Sequence, residues 1–501
     1  MTQLSRGKLD YSVCEPNECP PNMAKTFSVA NRLRPGLLIV GALSLTILLR
    51  VLVFLTDAGA IGAGYAAKQL CSGIFVARLP VRFVLNTDVL PRLATVGPMA
   101  ALLDYEIDHA RQNVSTSMLG QEKTAQFERG FGCTLWATEA FQRTALSRRA
   151  ETLPPNSPDP YRENPPSEPD TPGMPMPAAT LASDDARLNA ALDAAFAETT
   201  EGDRHTLAVL VMHKGVLVAE RYQAPVSVEH PMQGWSMNKS LMATFIGYQI
   251  DAGKLNLNDP VWEMLVSEGF NTHDLDRIDR SLSLRHLLSM SSGFDFSERY
   301  FPGDDVTAML YQHPVMGYSA PSKGHVYPPG ERFAYSSGDI NTASLMWQQS
   351  LEGEAYPDWL ARNFLGPLGL QEMVMEPDAH GVQVGSSYAY LTARDWARMG
   401  QLWLDAWHGR SAIISQSWQR QAVAPGTATN GEIYGLGFWL NTGQRRFPSA
   451  PESTFNAGGN SGQFVVVMPE EELVVVRLGL TLDESKANMD GLLADLLKIV
   501  R

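Results

Sequence analysis

The sequence predicts an α+β fold: an antiparallel sheet flanked by helices, with a mostly helical subdomain set into the middle of the chain. Three observations carry this. Two runs with strand character, TLAVLVMH and VLVAERY, meet at a tight Lys214-Gly215 turn near the start of the globular part. Three more, LGFWLN, QFVVVMP and ELVVVRLGL, stand near the C-terminus, the last two separated by Glu470 and Glu471. Between the two groups, from about Gly253 to Trp407, helical patterns and loops dominate, so strands from both ends share one sheet and the interval supplies helices. With 501 residues, 44% of them hydrophobic, the chain can bury a large core.

Taken in order, residues 1–35 read as a polar cytoplasmic tail holding Lys8, Lys25, Arg32 and Arg34. Residues 36–56 read as a transmembrane anchor: GLLIVGALSLTILLRVLVFL runs from Gly36 to Leu55 with one interruption, Arg50. About 20 apolar residues span a bilayer as a helix, and Arg50 lies close enough to the far end for its stem to carry the charge to the interface. The alternative is a cleaved signal peptide with Ala58-Gly59-Ala60 at the cleavage site. Its positive flank and apolar core would both be too long, which favours the retained anchor. Positive charge before the span predicts a single-pass protein of the inner, cytoplasmic membrane, with the globular part in the periplasm or outside the cell.

Residues 57–150 form an accessory region, with a helical start at AAKQLCSGIF and a small β hairpin unit made of YEIDHARQNVSTSML and KTAQFERGFGCTLW. Cys71 and Cys133 follow the span and can pair in an oxidising compartment, two separate thiols being the alternative; Cys14 and Cys19 precede it and stay reduced. Residues 151–180 are a proline-rich linker, because proline fixes φ and removes a donor. The globular domain occupies 181–501, opening on the helix DDARLNAALDAAFAE and closing on NMDGLLADLLKIV.

The chemistry lies in that domain. Ser236 and Lys239 stand three apart in GWSMNKSLMATF, and Tyr335 and Ser337 two apart in RFAYSSGDIN, about a hundred residues downstream. A serine hydroxyl needs a base to take its proton as it attacks a carbonyl. Residues three apart on a helix share a face, so S-x-x-K aims an amine at the hydroxyl. A free lysine, pKa ~10.4, is protonated at neutral pH, and lowering it by about three units costs roughly 4 kcal/mol, so the site must be desolvated or share the proton. Tyr335 is the candidate to share that proton with Lys239 and deliver it to a leaving group, and Ser337 to hold the network and touch substrate. Roughly one or two S-x-x-K matches are expected by chance in such a chain. The second, Ser5 to Lys8, sits in the polar tail, whereas Ser236 precedes the buried-helix run LMATFIGYQI. Of the fifteen tyrosines, only Tyr335 has Ser or Asn two positions on.

These motifs, together with GKLNLNDPV, LRHLLSMSSGFDF, FLGPLGL, YLTARDWARMG, YGLGFWLN and AGGNSGQFVVVMPE in that order, make the stretch from about Leu181 onward resemble the β-lactamase-related serine hydrolases. That group holds class C β-lactamases, D-Ala-D-Ala carboxypeptidases and related esterases, and the spellings SMSSGFDF and YSSGDIN are closest to its 6-aminohexanoate-dimer hydrolase branch. The resemblance implies a β-lactamase/transpeptidase-like fold and an oxyanion hole made by the backbone N–H groups of Ser236 and Gln463, the latter on a strand, QFVVVMP, edging the cleft. It also implies substrate contacts from Asn460-Ser461-Gly462, where lactamases carry Lys-Thr-Gly, and from Tyr300. Loss of that lysine weakens the case for penicillin-like substrates, because a fixed cation beside a substrate carboxylate is strongest in a dry cleft.

Other chemistries find little support. GWSMN lacks the final glycine of the G-x-S-x-G elbow, and GGNSGQ has no histidine placed upstream for a triad. Ten scattered histidines include no H-E-x-x-H, and the four cysteines form no pair of C-x-x-C units, so neither metal nor cofactor is predicted. A net charge of −14 argues against a nucleic-acid partner. The expected substrate is a small amide or ester; the rival readings are a β-lactamase or D,D-peptidase acting on cell-wall-type substrates, and a non-catalytic envelope protein that binds a ligand through the same fold.

Overall fold

The computed structural model describes residues 34–95, 97–135 and 185–501; most of the N-terminal tail, the linker expected over 151–180 and the last part of the accessory region lie outside them. The chain divides into two compact units, Met1–Val53 and Phe54–Arg501. In the first, the described residues belong to the helix α1 (Arg34–Cys71), whose large apolar side chains at Ile39 and from Leu43 to Val53 are exposed. The helix contains a stretch long and apolar enough to cross a membrane.

In the second unit, the residues of α1 from Ala58 to Cys71 are buried. The sequence placed a boundary at residue 56, with a new helix starting later; no proline interrupts the run, and α1 continues unbroken. Close packing comes from Gly62, where an added Cβ would sit 1.7 Å from Met118 Cε. A short helix, α2 (Leu90–Ala94), precedes a four-stranded antiparallel meander of β1 (Asp104–Asp108), β2 (Asn113–Met118), β3 (Gln121–Glu128) and β4 (Gly132–Leu135). The expected hairpin is present as β2–β3, and the turns His109–Gln112 and Arg129–Phe131 split each predicted segment, so that there are three hairpins rather than one. Cys71 and Cys133 are joined by a disulfide, their Cα atoms 6.1 Å apart.

A buried ion pair also ties this region to the rest of the unit. The ammonium of Lys68 bonds Glu376, which further accepts from Ser72 Oγ (2.8 Å) and from the backbone N–H of Cys133 (2.7 Å).

The rest of the unit is α+β. After α3 (Ala186–Phe196), N-capped by the Asp185 side chain, come β5 (Thr206–His213) and β6 (Val216–Tyr222). A small strand, β7 (Met232–Gln233), leads to the central helix α4 (Asn238–Asp251). The interval then supplies α5 (Ser337–Gln349), the strands β8 (Met373–Met375) and β9 (Ala389–Leu391), and α6 (Ala393–His408). A three-stranded sheet of β7, β9 and β8 therefore lies within a stretch that reads as helices and loops; strands of two or three residues are too short to show a period. The chain ends with β10 (Trp439–Leu440), β11 (Phe455–Gly459), β12 (Gln463–Met468), β13 (Leu473–Gly479) and α7 (Met489–Val500).

The main sheet is antiparallel throughout, in the order β10-β11-β12-β13-β5-β6. Both faces are covered. Val465, Val467, Val474 and Val476 pack into the core that contains α4 and α6, while Val466, Val475, Val209 and Val211 pack on Leu192 of α3 and Leu493 of α7. That is why VVVM and LVVV read as continuous apolar runs rather than as alternating ones.

Candidate active site

Ser236 lies in a turn of 3₁₀ helix, Trp235–Met237, directly before α4. Trp235 holds φ +48°, a left-handed conformation costly for a bulky residue, at the position preceding the hydroxyl. About one turn beyond Ser236, as the second residue of α4, Lys239 is 1% exposed, and its Nζ is 2.9 Å from Ser236 Oγ, 2.9 Å from Ser337 Oγ and 3.2 Å from the carbonyl of Ser386. Burial lowers the Lys239 pKa to about 8, against the opposing pull of the Glu298 carboxylate.

Glu298 has no sequence motif of its own, yet it organises this cluster. Its carboxylate accepts from the backbone N–H of Ser337 (2.7 Å) and from the Ser337 hydroxyl (2.5 Å). The Ser337 proton is thereby committed to Glu298, and the Ser386 carbonyl is an acceptor only. A neutral amine has two N–H bonds and one lone pair. When Lys239 is neutral, its two N–H groups go to Ser337 and Ser386, and the lone pair is left facing the Ser236 hydroxyl.

Tyr335 immediately precedes Ser336, whose side chain caps α5 by accepting from the Asp339 N–H. Its ring stacks on Trp439 at 5.0 Å between centroids and lies edge-on to Tyr434. Lys239 Nζ stands 4.9 Å from the Tyr335 ring centroid, over its face. The expected direct sharing of a proton between Lys239 and Tyr335 is not the arrangement seen, because all three positions on the amine are taken. Burial, then the Glu298 carboxylate, raises the Tyr335 pKa, and an interaction with the Ser236 side chain opposes them.

Gln463 is not at the cleft edge. It begins β12, an interior strand, and its side chain bonds the backbone of Gly479. The strand beside the nucleophile is β11: a Cβ on Gly459 would fall 2.1 Å from the Gly234 carbonyl, so only glycine permits this approach. Along β11, the Thr454 carbonyl accepts from Asn441 on the β10 side, and alternation sends the N–H groups of Asn456 and Gly458 the same way. Asn456 pairs with Trp439, whereas Gly458 lies past the end of β10.

Asn460, Ser461 and Gly462 form the loop between β11 and β12, so the slot held by Lys-Thr-Gly in lactamases falls earlier, on β11 itself. Asn460 Oδ1 and Ser461 Oγ accept from Arg92 of the accessory region at 3.1 and 2.7 Å, and the Gly462 carbonyl accepts from Arg477. A cation is nonetheless near β11. The Arg446 guanidinium lies 4.8 Å from the Trp439 ring centroid, with Nη2 2.9 Å from where a Gly458 Cβ would be. Tyr300 holds φ +62°, donates from its hydroxyl to Glu298 (3.3 Å) and lines a cavity of about 310 Å³ together with Trp235 and Asn460. Among the described residues, no group of three or more His, Cys, Asp or Glu side chains is placed to hold a metal ion.

Comparison with known proteins gives the family and shows the fold to be β-lactamase/transpeptidase-like. The chain matches the Beta-lactamase family model over residues 192–497. It is 30% identical over 199 residues to penicillin-binding protein 4 of Amycolatopsis lactamdurans, covering 39% of this chain and 48% of that protein, so it spans less than half of that relative's length. It is 25% identical over 317 residues to the 6-aminohexanoate-dimer hydrolase of Paenarthrobacter ureafaciens, covering 58% of this chain and 77% of that protein. In fold it is similar to a Bacillus anthracis protein assigned as a 6-aminohexanoate-dimer hydrolase, with TM-score 0.52, 19% identity and coverage of 73% of this chain and 95% of that one. The chain belongs to the Beta-lactamase family and is a serine hydrolase.

Proposed function

We propose that this hydrolase cleaves an amide or ester through an acyl-enzyme on Ser236. Lys239, neutral and with its lone pair toward Ser236 Oγ, takes the hydroxyl proton as the oxygen bonds to the carbonyl carbon. The proton passes by way of Tyr335 to the departing amine or alcohol, the bond to that group breaks, and water later releases the acyl group by the reverse relay. The N–H groups of Ser236 and Gly458 bind the oxyanion, Gly458 replacing Gln463 in this role. The observation that carries the reading is the 2.9 Å contact between Lys239 Nζ and Ser236 Oγ in a site where the other two positions on the amine are filled. Ser236→Ala is expected to abolish labelling by a fluorophosphonate probe; undiminished labelling rejects the assignment.

One observation favours a narrower reading, a β-lactamase or D,D-peptidase that binds a carboxylated substrate. Arg446 puts a cation by β11 even though no lysine stands in the motif, partly neutralised by Glu484 at 3.1 Å. Turnover of nitrocefin against p-nitrophenyl esters separates the two readings, and the ester is the expected substrate.

The enzyme is further proposed to be exported and held by α1 as a single membrane span, with the second unit in the periplasm or outside the cell. The apolar stretch of α1 and the Cys71–Cys133 bond support this. Digestion of the catalytic unit by protease added to spheroplasts is the expected result, and protection would reverse the orientation.

A further inference from the structure

The cavity beside Trp235 is walled on one side by the accessory region, which no role in the acyl-enzyme chemistry explains. Ala58, Ile61 and Tyr65 of α1 and Leu93 just past Arg92 line it, opposite Phe301 and Pro302. At 1.5 Å per residue, Ala58 to Tyr65 runs along about 10 Å. The two ends differ in character. Around Tyr65 and Arg92 the wall is polar and adjoins Trp235, the neighbour of the nucleophile: Arg92 bonds Asn460 and Ser461 and lies 5.9 Å from the Trp235 ring centroid. Ala58 and Ile61 give the cavity an apolar wall, and a Cβ built on Gly303 would fall 4.0 Å from the Asp57 carboxylate.

The mouth is apolar as well. Phe301 is 68% exposed although it lines the cavity, Leu482, beside the Ser461 loop, is 42% exposed, and Phe54, Leu55 and Leu119 are exposed as well. Leu119 Cβ is 3.0 Å from where a Gly59 Cβ would be. Exposed phenylalanine and leucine cost solvation free energy, which an apolar ligand lying against them would recover. A cavity of about 310 Å³ whose wall is mostly apolar, with polar side chains such as Arg92, Tyr300 and Asn460 set into it, has the form of a small-molecule site.

We propose that this cavity is a substrate subsite for an unbranched apolar chain, so that the enzyme's substrates are amphiphilic esters or amides whose reacting carbonyl sits at the Trp235 end and whose chain lies along α1. The proposal rests on the acyl-enzyme reading of Ser236. With C–C bonds of about 1.5 Å, a zigzag chain advances about 1.3 Å per bond, so 10 Å takes roughly eight bonds. Burying such a chain strengthens binding with each methylene by up to about 0.8 kcal/mol, approximately fourfold.

The test uses the full chain in lipid nanodiscs and two substrate series, p-nitrophenyl alkanoates from acetate to octanoate and alkyl acetates from methyl to octyl. The expected result is a rise of at least tenfold in kcat/KM from shortest to longest in one series. Leu482→Trp and Thr95→Trp, which fill the cavity from exposed positions, are each expected to cut the long-to-short ratio at least fivefold. Flat dependence on chain length in both series, or an unchanged ratio in both variants, overturns the subsite while leaving the acyl-enzyme intact. If no ester is turned over and Ser236 takes no fluorophosphonate label, the acyl-enzyme reading fails and the subsite with it.

Discussion

Glu298 accepts hydrogen bonds from both the backbone N–H and the hydroxyl of Ser337, at 2.7 and 2.5 Å, and so determines which way the Ser337 proton points. Because Ser337 then presents only a lone pair to Lys239, a carboxylate that does not touch the nucleophile orients its base.

Glu298→Gln should therefore move the pH profile. Burial lowers the Lys239 pKa to about 8 even against the Glu298 carboxylate, which raises it. Activity requires the neutral amine, so kcat/KM for a p-nitrophenyl ester is expected to climb with pH through about 8. Removing the negative charge lets the lysine lose its proton more easily, and the rise shifts to lower pH. A purely structural role for Glu298 would lower the plateau and leave the midpoint in place.

Lys239→Met keeps the bulk of the side chain and removes the base. A fall of about 10²–10⁴ in kcat is expected. Stopped-flow measurement should locate the loss in acylation, and normal acylation by the variant would exclude Lys239 as the base.

Gly459→Ala puts a methyl group against the Gly234 carbonyl and forces β11 away from the nucleophile. Loss of one oxyanion donor typically lowers kcat about 10²–10³-fold with little change in substrate binding. A KM effect with kcat intact would place the oxyanion donor elsewhere.

The Lys68–Glu376 pair is buried on both sides. Lys68→Met leaves a carboxylate without its counterion and is expected to cost about 3–5 kcal/mol in urea unfolding. The double variant Lys68→Met with Glu376→Gln should lose less than the single one, which would show that the cost comes from the stranded charge.

Much of this molecule is legible in the chain because the relevant signals are local. S-x-x-K is one helical turn, and the Ser336 cap is one residue from Tyr335, so the partners of Ser236 can be recognised by spacing. The apolar span and the strands of the main sheet announce themselves through runs of residue type. The strand that flanks the nucleophile does not, and the error over Gln463 has a physical cause. QFVVVMP reads strongly as a strand because it is covered on both faces, and a strand so covered lies inside the sheet. The segment FNAGG reads weakly because its backbone must come against Gly234, which excludes side chains.

The sequence by itself determined the fold class and an apolar helix ahead of the globular part, and it singled out Ser236, Lys239 and Tyr335 as the candidate site, since each is written in spacing or in residue type over a short window. Only the tertiary structure decided that Glu298 orients the lysine, that β11 rather than β12 borders the site, that Arg446 stands where no motif lysine does, and that the accessory region walls a cavity beside Trp235. Those contacts join residues tens to hundreds of positions apart, and no local pattern encodes which distant side chains the packing of a core brings together.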